Sequence, residues 1–330
     1  MPPLKEIKTR IGSVKGTLKI TSAMKLVAAA KLHKAQQAVA AMLPYQQALY
    51  RMLGTVAAGK LSVGTGDQSS RPGDEGLFSS RPGDEASLDA LPPRIAILAV
   101  SSNSSLCGGF NANAVRKVLD TLREYALAGI PDKNITVIPI GRKMADALRR
   151  IGKIPGPSGG DGAVAAPQSV ISGFLAGNLN RLIDRPSFPE AAAFADKIIA
   201  LFQDGRFDRV ELIYNHFVST ASQVPVRETW LPFTPSPAAH TDPSSSRLWL
   251  LEPSREELLE TLLPKLMRLK IYTMLLDSAA AEHAARTVAM QTATDNGEEI
   301  LDDLTLEYNK GRQQKITSEL LDIIGGSMQG

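Results

Sequence analysis

The sequence is poor in the residues that most chemistry needs. Cys107 is the only cysteine in 330 residues, so no disulfide can close within the chain and no thiolate cluster can hold a metal. Its four histidines, His33, His216, His240 and His283, are scattered, without the i, i+4 pairing or grouped carboxylates of a zinc or acid–base site. His283 reads as a packing residue rather than a proton-linked switch. There is no G-x-x-x-x-G-K-[ST] phosphate loop and no G-x-G-x-x-G after a strand, so no nucleotide is held by motif. The acid-rich "DNGEEILDDLTLE" (295–307) lacks the spaced ligands of an EF-hand loop and reads as a solvated helix face.

Long apolar runs are missing too. None approaches the roughly 20 residues needed to cross a bilayer, so the chain is expected to be soluble or peripheral to a membrane. The start lacks the apolar core of a secretory signal, and its helical pattern extends well past a removable leader, so it reads as mature structure. Acid is scarce in the first fifty residues, where Glu6 alone stands against Lys5, Lys8, Arg10, Lys15, Lys19, Lys25, Lys31 and Lys34. The formal net charge of +3 is too small to argue for nucleic acid, but this local excess puts a positive field at one end. A stripe of one sign gains no internal i, i+4 pairs, so an acidic partner surface suits it.

What is present is periodicity. Steps of three and four from Leu4 give Ile7, Ile11, Val14, Leu18, Thr21, Lys25, Ala28, Leu32, Ala35, Val39, Met42, Gln46, Leu49, Leu53 and Val56. Only Thr21, Lys25 and Gln46 are polar. A 3.5-residue apolar repeat held this long predicts a coiled-coil helix on the order of 75 Å in length, with a kink at Pro44. A second seam follows the cap-like pair Ser254 and Glu257: Leu259, Leu262, Leu266, Leu269, Thr273, Leu276, Ala280, His283, Thr287, Met290, Thr294, Gly297, Leu301, Leu304 and Tyr308. Its middle is small and polar. Two such helices most economically bury each other as an antiparallel pair. The apolar tail Ile316, Leu320, Leu321, Ile323 and Ile324 would then overhang and need a sleeve from other chains.

Between the helices, "RIAILAVSS" (94–102), "NITVIPIG" (134–141) and "RVELIYNHFVS" (209–219) read as strands, with helices at 113–125, 142–150 and 189–202. This alternation predicts a parallel sheet with crossover helices, to which 224–233 and 247–254 could add strands. Pro, Gly and polar residues mark breaks at 152–167 and 234–246, and "SSRPGDE" occurs twice, at 69–75 and 79–85. That doubled stretch is expected to be a mobile surface excursion. The fold class is therefore α/β: a long antiparallel coiled coil of N- and C-terminal helices plus a central Rossmann-like α/β domain. Its parts are residues 1–58, a flexible loop at 59–93, the α/β domain at 94–253 and the second helix at 254–330.

The turn "SLCGGFN" (105–111) lies where an α/β enzyme places glycines and a nucleophile, so a Cys107-dependent enzyme is one reading. A tight strand-to-helix turn with a buried thiol is the plainer one. A coiled-coil adaptor or chaperone is a third.

Three segments carry a family resemblance: "LKEIKTRIGSVKGTLKITSAMKLVAAAKL", "SSLCGGFNAN" and "EHAARTVAMQTATDNGEEILDDLTLEYNKGRQQKITSELLDIIGG". With weaker similarity in "FDRVELIYNHFVSTASQ", the chain resembles the gamma subunit of F-type ATP synthases over most of its length. The resemblance implies a central stalk whose two helices turn inside a hexameric head of catalytic and non-catalytic subunits. The α/β domain would sit on the membrane c-ring beside the epsilon subunit. Proton flow would drive rotation and the catalytic sites would cycle. The chain itself would be non-catalytic, with no cofactor, no metal, no small-molecule substrate and no nucleic acid. Its place would be the cytoplasmic face of a bacterial inner membrane, as a peripheral protein. By the same resemblance Met24, Lys25 and Arg286 meet an acidic loop of the catalytic subunits. Arg312, Gln313 and Thr317 lie in the upper contact region, and Ile316, Leu320, Ile323 and Ile324 lie near an apolar bearing. Family members carry Asp-Arg-Gly where this chain has Asn103, Ser104 and Ser105, which puts any charged contact of that turn in doubt. The lone Cys107 excludes the cysteine-pair redox switch of plant-type relatives.

Overall fold

Two helices dominate the computed structural model, which describes residues 3–61, 92–152, 179–233, 252 and 254–327. Helix α1 spans Leu4–Leu61 and the last helix, α6, spans Arg255–Ser327. At 1.5 Å per residue they are about 87 Å and about 110 Å long. Pro44 and Pro264 lie inside them and both helices continue past. Ser254 caps α6: its Oγ accepts the backbone N–H of Glu257 at 3.2 Å, half of the expected capping box.

The helices run antiparallel, as the seams require. Thr294 Oγ1 donates to Thr21 Oγ1 at 3.0 Å, while Gly297 faces Leu18 and Gly311 faces Leu4, so each step back along α1 is a step forward along α6. A Cβ on Gly297 would stand 2.7 Å from Leu18 Cδ2. The glycine on that seam position is there for close approach.

The middle of the chain forms β1 (Ile95–Val100), α2 (Phe110–Leu127), β2 (Ile135–Ile140), α3 (Arg142–Arg150), α4 (Leu179–Asp184), α5 (Phe188–Gln203), β3 (Arg209–Phe217) and β4 (Gln223–Leu231). The sheet order is β2-β1-β3-β4. β1 pairs in parallel with β2 and β3, as the alternation of strands and helices predicts. β4 is antiparallel to β3, because five residues suffice only for a hairpin and not for a crossover. Both in-strand prolines, Pro139 in β2 and Pro225 in β4, fall on edge strands, where a missing donor costs least. The candidate strand at 247–254 and the doubled 69–85 stretch lie outside the described residues, apart from residues 252 and 254.

β1 is buried on both faces. Ile95, Ile97 and Ala99 pack against α2 and α3, through Ala114, Val118, Leu122, Met144 and Leu148. Ala96, Leu98 and Val100 face α5 and the paired ends of the long helices, through Ile198, Leu53, Leu266 and Met274. The coiled coil is thus one layer of the domain as well as its extension. Glu211, buried within β3, is matched by three hydrogen bonds from two partners: Tyr125 Oη donates at 2.5 Å, and Arg227 Nε and Nη2 donate at 2.8 and 2.9 Å. Gly141, between β2 and α3, has φ +113°, and a Cβ there would lie 2.3 Å from the Ser101 carbonyl oxygen.

Candidate functional site

The part of the molecule that could act on a partner is the shaft and the joint that fixes it to the α/β domain. Along α1, Lys5, Lys8, Lys15, Lys19, Lys25, Lys31 and Lys34 form no ion pair with a described residue, and Arg10 pairs only with Glu6 on its own helix, at 2.8 Å. Met24 and Lys25 are half-buried against the seam, while the lysines at 15, 19, 31 and 34 are exposed. Neighbouring apolar side chains are also open to solvent: Ile20, Leu26 and Val27 are all more than half exposed.

At the far end α6 outruns its partner. Gly311 already faces Leu4, the first residue of α1, so positions 312–327 continue for roughly 24 Å with no partner helix among the described residues. Arg312, Gln313 and Thr317 are exposed there, with Thr317 Oγ1 donating to the Gln313 carbonyl at 2.9 Å. Ile316, Leu320, Leu321 and Ile323 are exposed by 48–68%. Such a row of large apolar groups in water loses the burial free energy, about 1.5–3 kcal/mol each, that a surrounding sleeve would restore. Ile324 belongs to the same helix, but its side chain lies outside the described residues.

Arg286 is placed differently from the other predicted contact residues. Its side chain is only 12% exposed, donating to Glu282 Oε1 at 2.8 Å and to Ser104 Oγ at 2.7 Å, so it ties α6 to the turn after β1. Burial pushes the Glu282 carboxyl above its ordinary range, and Arg286 works against that. Burial, then Arg286 and Lys31, pull His283 down to about 4, so it is neutral at pH 7. The neutral ring accepts a long contact from Arg286 Nη1 at 3.5 Å. His283 is the packed seam residue that its position predicts.

The neutral turn works without the family's charges. Asn103 Nδ2 donates to the Asn180 carbonyl at 2.5 Å and Asn103 Oδ1 accepts the Arg142 N–H at 3.1 Å, linking β1, α3 and α4. Cys107 is 1% exposed and packs with Phe110 against Ala281 and Ala285. Its described polar neighbours are Ser102, Asn111 and the Ser104 carbonyl, none of which is a base that could activate the thiol. No metal-type grouping of His, Cys, Asp or Glu occurs among the described residues.

Sequence reasoning missed the rest of the joint. Asp277 on α6 accepts the Phe217 N–H at 3.0 Å through Oδ1, and its Oδ2 meets His216 Nδ1 at 2.5 Å. Arg268 pairs with Asp196 on α5 at 2.6 Å, and Lys270 pairs with Glu228 on β4. Four charged positions of α6 therefore hold four different parts of the domain: β3, α5, β4 and the turn after β1. The small residues in mid-seam also find their reason. Ala280 and Ala284 meet Leu32 on one side of α6 while Ala281 and Ala285 meet Cys107 and Phe110 on the other, so the helix is gripped from two directions.

Comparison with known proteins agrees with this architecture. The ATP synthase family model matches residues 3–328. The chain is 43% identical to the ATP synthase gamma chain of Bacteroides fragilis, across 99% of this chain and all of that one. It is 35% identical to that of Flavobacterium johnsoniae, across 99% and 98%. Among solved structures, a chain of the Euglena gracilis mitochondrial ATP synthase (OSCP/F1/c-ring, rotational state 3) superposes with a TM-score of 0.54 at 19% identity, covering 98% of this chain and 93% of that one. At that identity the likeness speaks for the fold.

Proposed function

Because the chain belongs to the ATP synthase family, and its full-length relatives are gamma chains, we propose that it is the rotor of the central stalk, a non-catalytic subunit. The observation that carries this reading is the end of α6, an apolar-faced helix projecting past its partner with no described residue of the chain covering it. A hexameric head supplies the sleeve. Ile316, Leu320, Ile323 and Ile324 turn within it as a bearing, with Arg312, Gln313 and Thr317 at its mouth. The lysines of α1, Lys25 among them with Met24 beside it, face acidic loops of the catalytic subunits as the shaft turns. A long-range field suits this task, since it pushes without a fixed socket.

The α/β domain stands at the opposite end, toward the membrane c-ring and the epsilon subunit. No helix of the described residues is long and apolar enough to cross a membrane. The chain attaches through these partners, at the cytoplasmic face of a bacterial inner membrane. Torque from the ring enters the domain and reaches α6 through Asp277, Arg268, Lys270 and Arg286. Arg286 acts from inside that joint, holding the turn against the shaft where Lys31 also lies. Intact-complex mass spectrometry on particles gently extracted from native membranes tests the reading. One copy with three catalytic, three non-catalytic and one epsilon subunit is expected. Recovery of the chain alone, or with unrelated partners, would refute it and revive the adaptor.

A further inference from the structure

Helices α2 and α3 cover the face of the sheet opposite the coiled coil: Ile95, Ile97 and Ala99 look toward them, while Ala96, Leu98 and Val100 look toward the shaft. Between the two helices runs an open trough of about 550 Å3, lined by Ala112, Val115 and Leu119 of α2, by Ala147 of α3, and by the cations Arg116, Arg123 and Lys143. The α2 positions recur every three or four residues, so they form one stripe, and the trough follows it for about 16 Å, three helical turns. Val115 and Leu119 pack on the core beneath and remain half-buried, which leaves apolar surface on the floor.

The charges around this trough do not balance. All three acids of α2 and α3 are already matched inside the domain: Asp120 by Arg123 at 3.4 Å, Glu124 by Arg227 at 2.6 Å and Asp146 by Arg149 at 2.9 Å. Five cations of the same two helices, Arg116, Lys117, Arg142, Lys143 and Arg150, form no ion pair with a described residue. Of these, Arg116 and Lys143 line the trough from opposite helices. An apolar floor between two positive banks matches a rounded partner with an apolar stripe and acids on both flanks. A membrane, being flat, would meet the banks and miss the floor. We infer that the trough is a docking site for an acidic amphipathic helix of a partner protein. Apolar side chains at i, i+3 or i+4, and i+7 of that helix lie on Ala112, Val115, Leu119 and Ala147, and its carboxylates reach Arg116 on one side and Lys143 on the other. The site goes beyond the rotor reading and does not depend on it. None of Asp277, Arg268, Lys270 and Arg286 lines it, so a helix seated there leaves the joint intact.

Fluorescence anisotropy on the full chain tests this with two labelled peptides: an acidic helix of about five turns with leucines at i, i+3, i+7 and i+11, and a scrambled peptide of the same composition. The helix should bind at least about tenfold more tightly than the scramble. Arg116→Glu with Lys143→Glu should weaken its binding at least about tenfold. Lys117→Glu with Arg150→Glu makes the same charge change outside the trough and should stay within about threefold. Ala112→Trp fills the floor without touching a charge and should also weaken binding at least about tenfold. Equal losses from the two charge pairs, full binding by Ala112→Trp, or equal binding of helix and scramble would reduce the contact to general attraction between opposite charges and overturn the docking site. Vesicles of phosphatidylglycerol should float without the chain. Vesicles that capture it through Arg116 and Lys143, while the acidic helix does not bind, would assign the face to a lipid surface instead. In the assembled complex, a benzophenone amino acid in place of Ala112 should cross-link to an acidic helix of another protein, and a cross-link to lipid alone or to nothing would overturn the site.

Discussion

Replacing Arg286 with methionine should weaken the fold by an amount that depends on pH in a calculable way. Methionine keeps most of the buried volume and removes the charge, so Glu282 is left 10% exposed without the guanidinium that balances it. The carboxyl then escapes the desolvation penalty by taking up a proton. Holding a carboxyl of ordinary pKa 4.5 in its neutral form at pH 7 costs about 1.36 kcal/mol per pH unit over 2.5 units, or about 3.4 kcal/mol. At pH 5.5 the same step costs about 1.4 kcal/mol. The sign follows from proton counting: the variant's folded state binds a proton that the unfolded state has released, so stability falls as pH rises above the unfolded value. For a chain of this length the melting temperature should drop by about 5 °C at pH 7 and about 2 °C at pH 5.5 relative to the unaltered chain. Scanning calorimetry on the full chain at both values measures this. The double variant with Glu282→Gln should recover most of the loss at pH 7 and lose its pH dependence. A deficit equal at both pH values, or a double variant as weak as the single one, would show that the pair does not act through buried charge.

Other perturbations separate the joint from the surface. Gly141→Ala should cost more than about 3 kcal/mol, because a Cβ at φ +113° would meet a backbone oxygen that cannot rotate away; loss of soluble folded protein, or a large fall in melting temperature, checks it. Asp277→Leu removes the acceptor for the Phe217 N–H and the partner of His216, and should cost about 2–4 kcal/mol in chemical denaturation. Lys25→Gln should leave stability within about 0.5 kcal/mol while lowering coupled ATP synthesis, the more so at low salt. Unchanged synthesis at low salt would remove Lys25 from the contact surface. Leu320→Glu should leave the fold intact yet reduce recovery of the head with the chain, since burying an unpaired carboxylate costs several kcal/mol.

The seams were legible because a 3.5-residue repeat depends only on the helix itself and its nearest partner. Leu4, Leu18 and Leu32 are placed by that rule alone, and the overhang of α6 follows from comparing where the two seams stop. The parallel pairing around β1 was legible from the alternation of strands with helices. The joint was not. Asp277 and Arg268 look on the sequence like any polar residues on a helix flank, and what buries or pairs them lies far away along the chain. Glu211 left a faint signal, a charge in an otherwise apolar strand, but Tyr125 and Arg227 could not be named as its partners without the hairpin. Arg286 was singled out for a contact with another chain. Its hydrogen bonds to Glu282 and Ser104, beside any such contact, are something that spacing alone cannot express.

The molecule narrows in stages: a three-layer domain, then two helices, then the single helix of residues 312–327. The resistance of a rod to twisting rises steeply with its cross-section, so a turning moment applied at the broad end is absorbed unevenly. The broad end moves almost rigidly, and the slimmer pair winds between it and the load at its lysines. A step taken at one end therefore need not coincide in time with a step at the other. The paired section behaves as a torsion spring between drive and load, so the two can divide the circle differently and still share one axle.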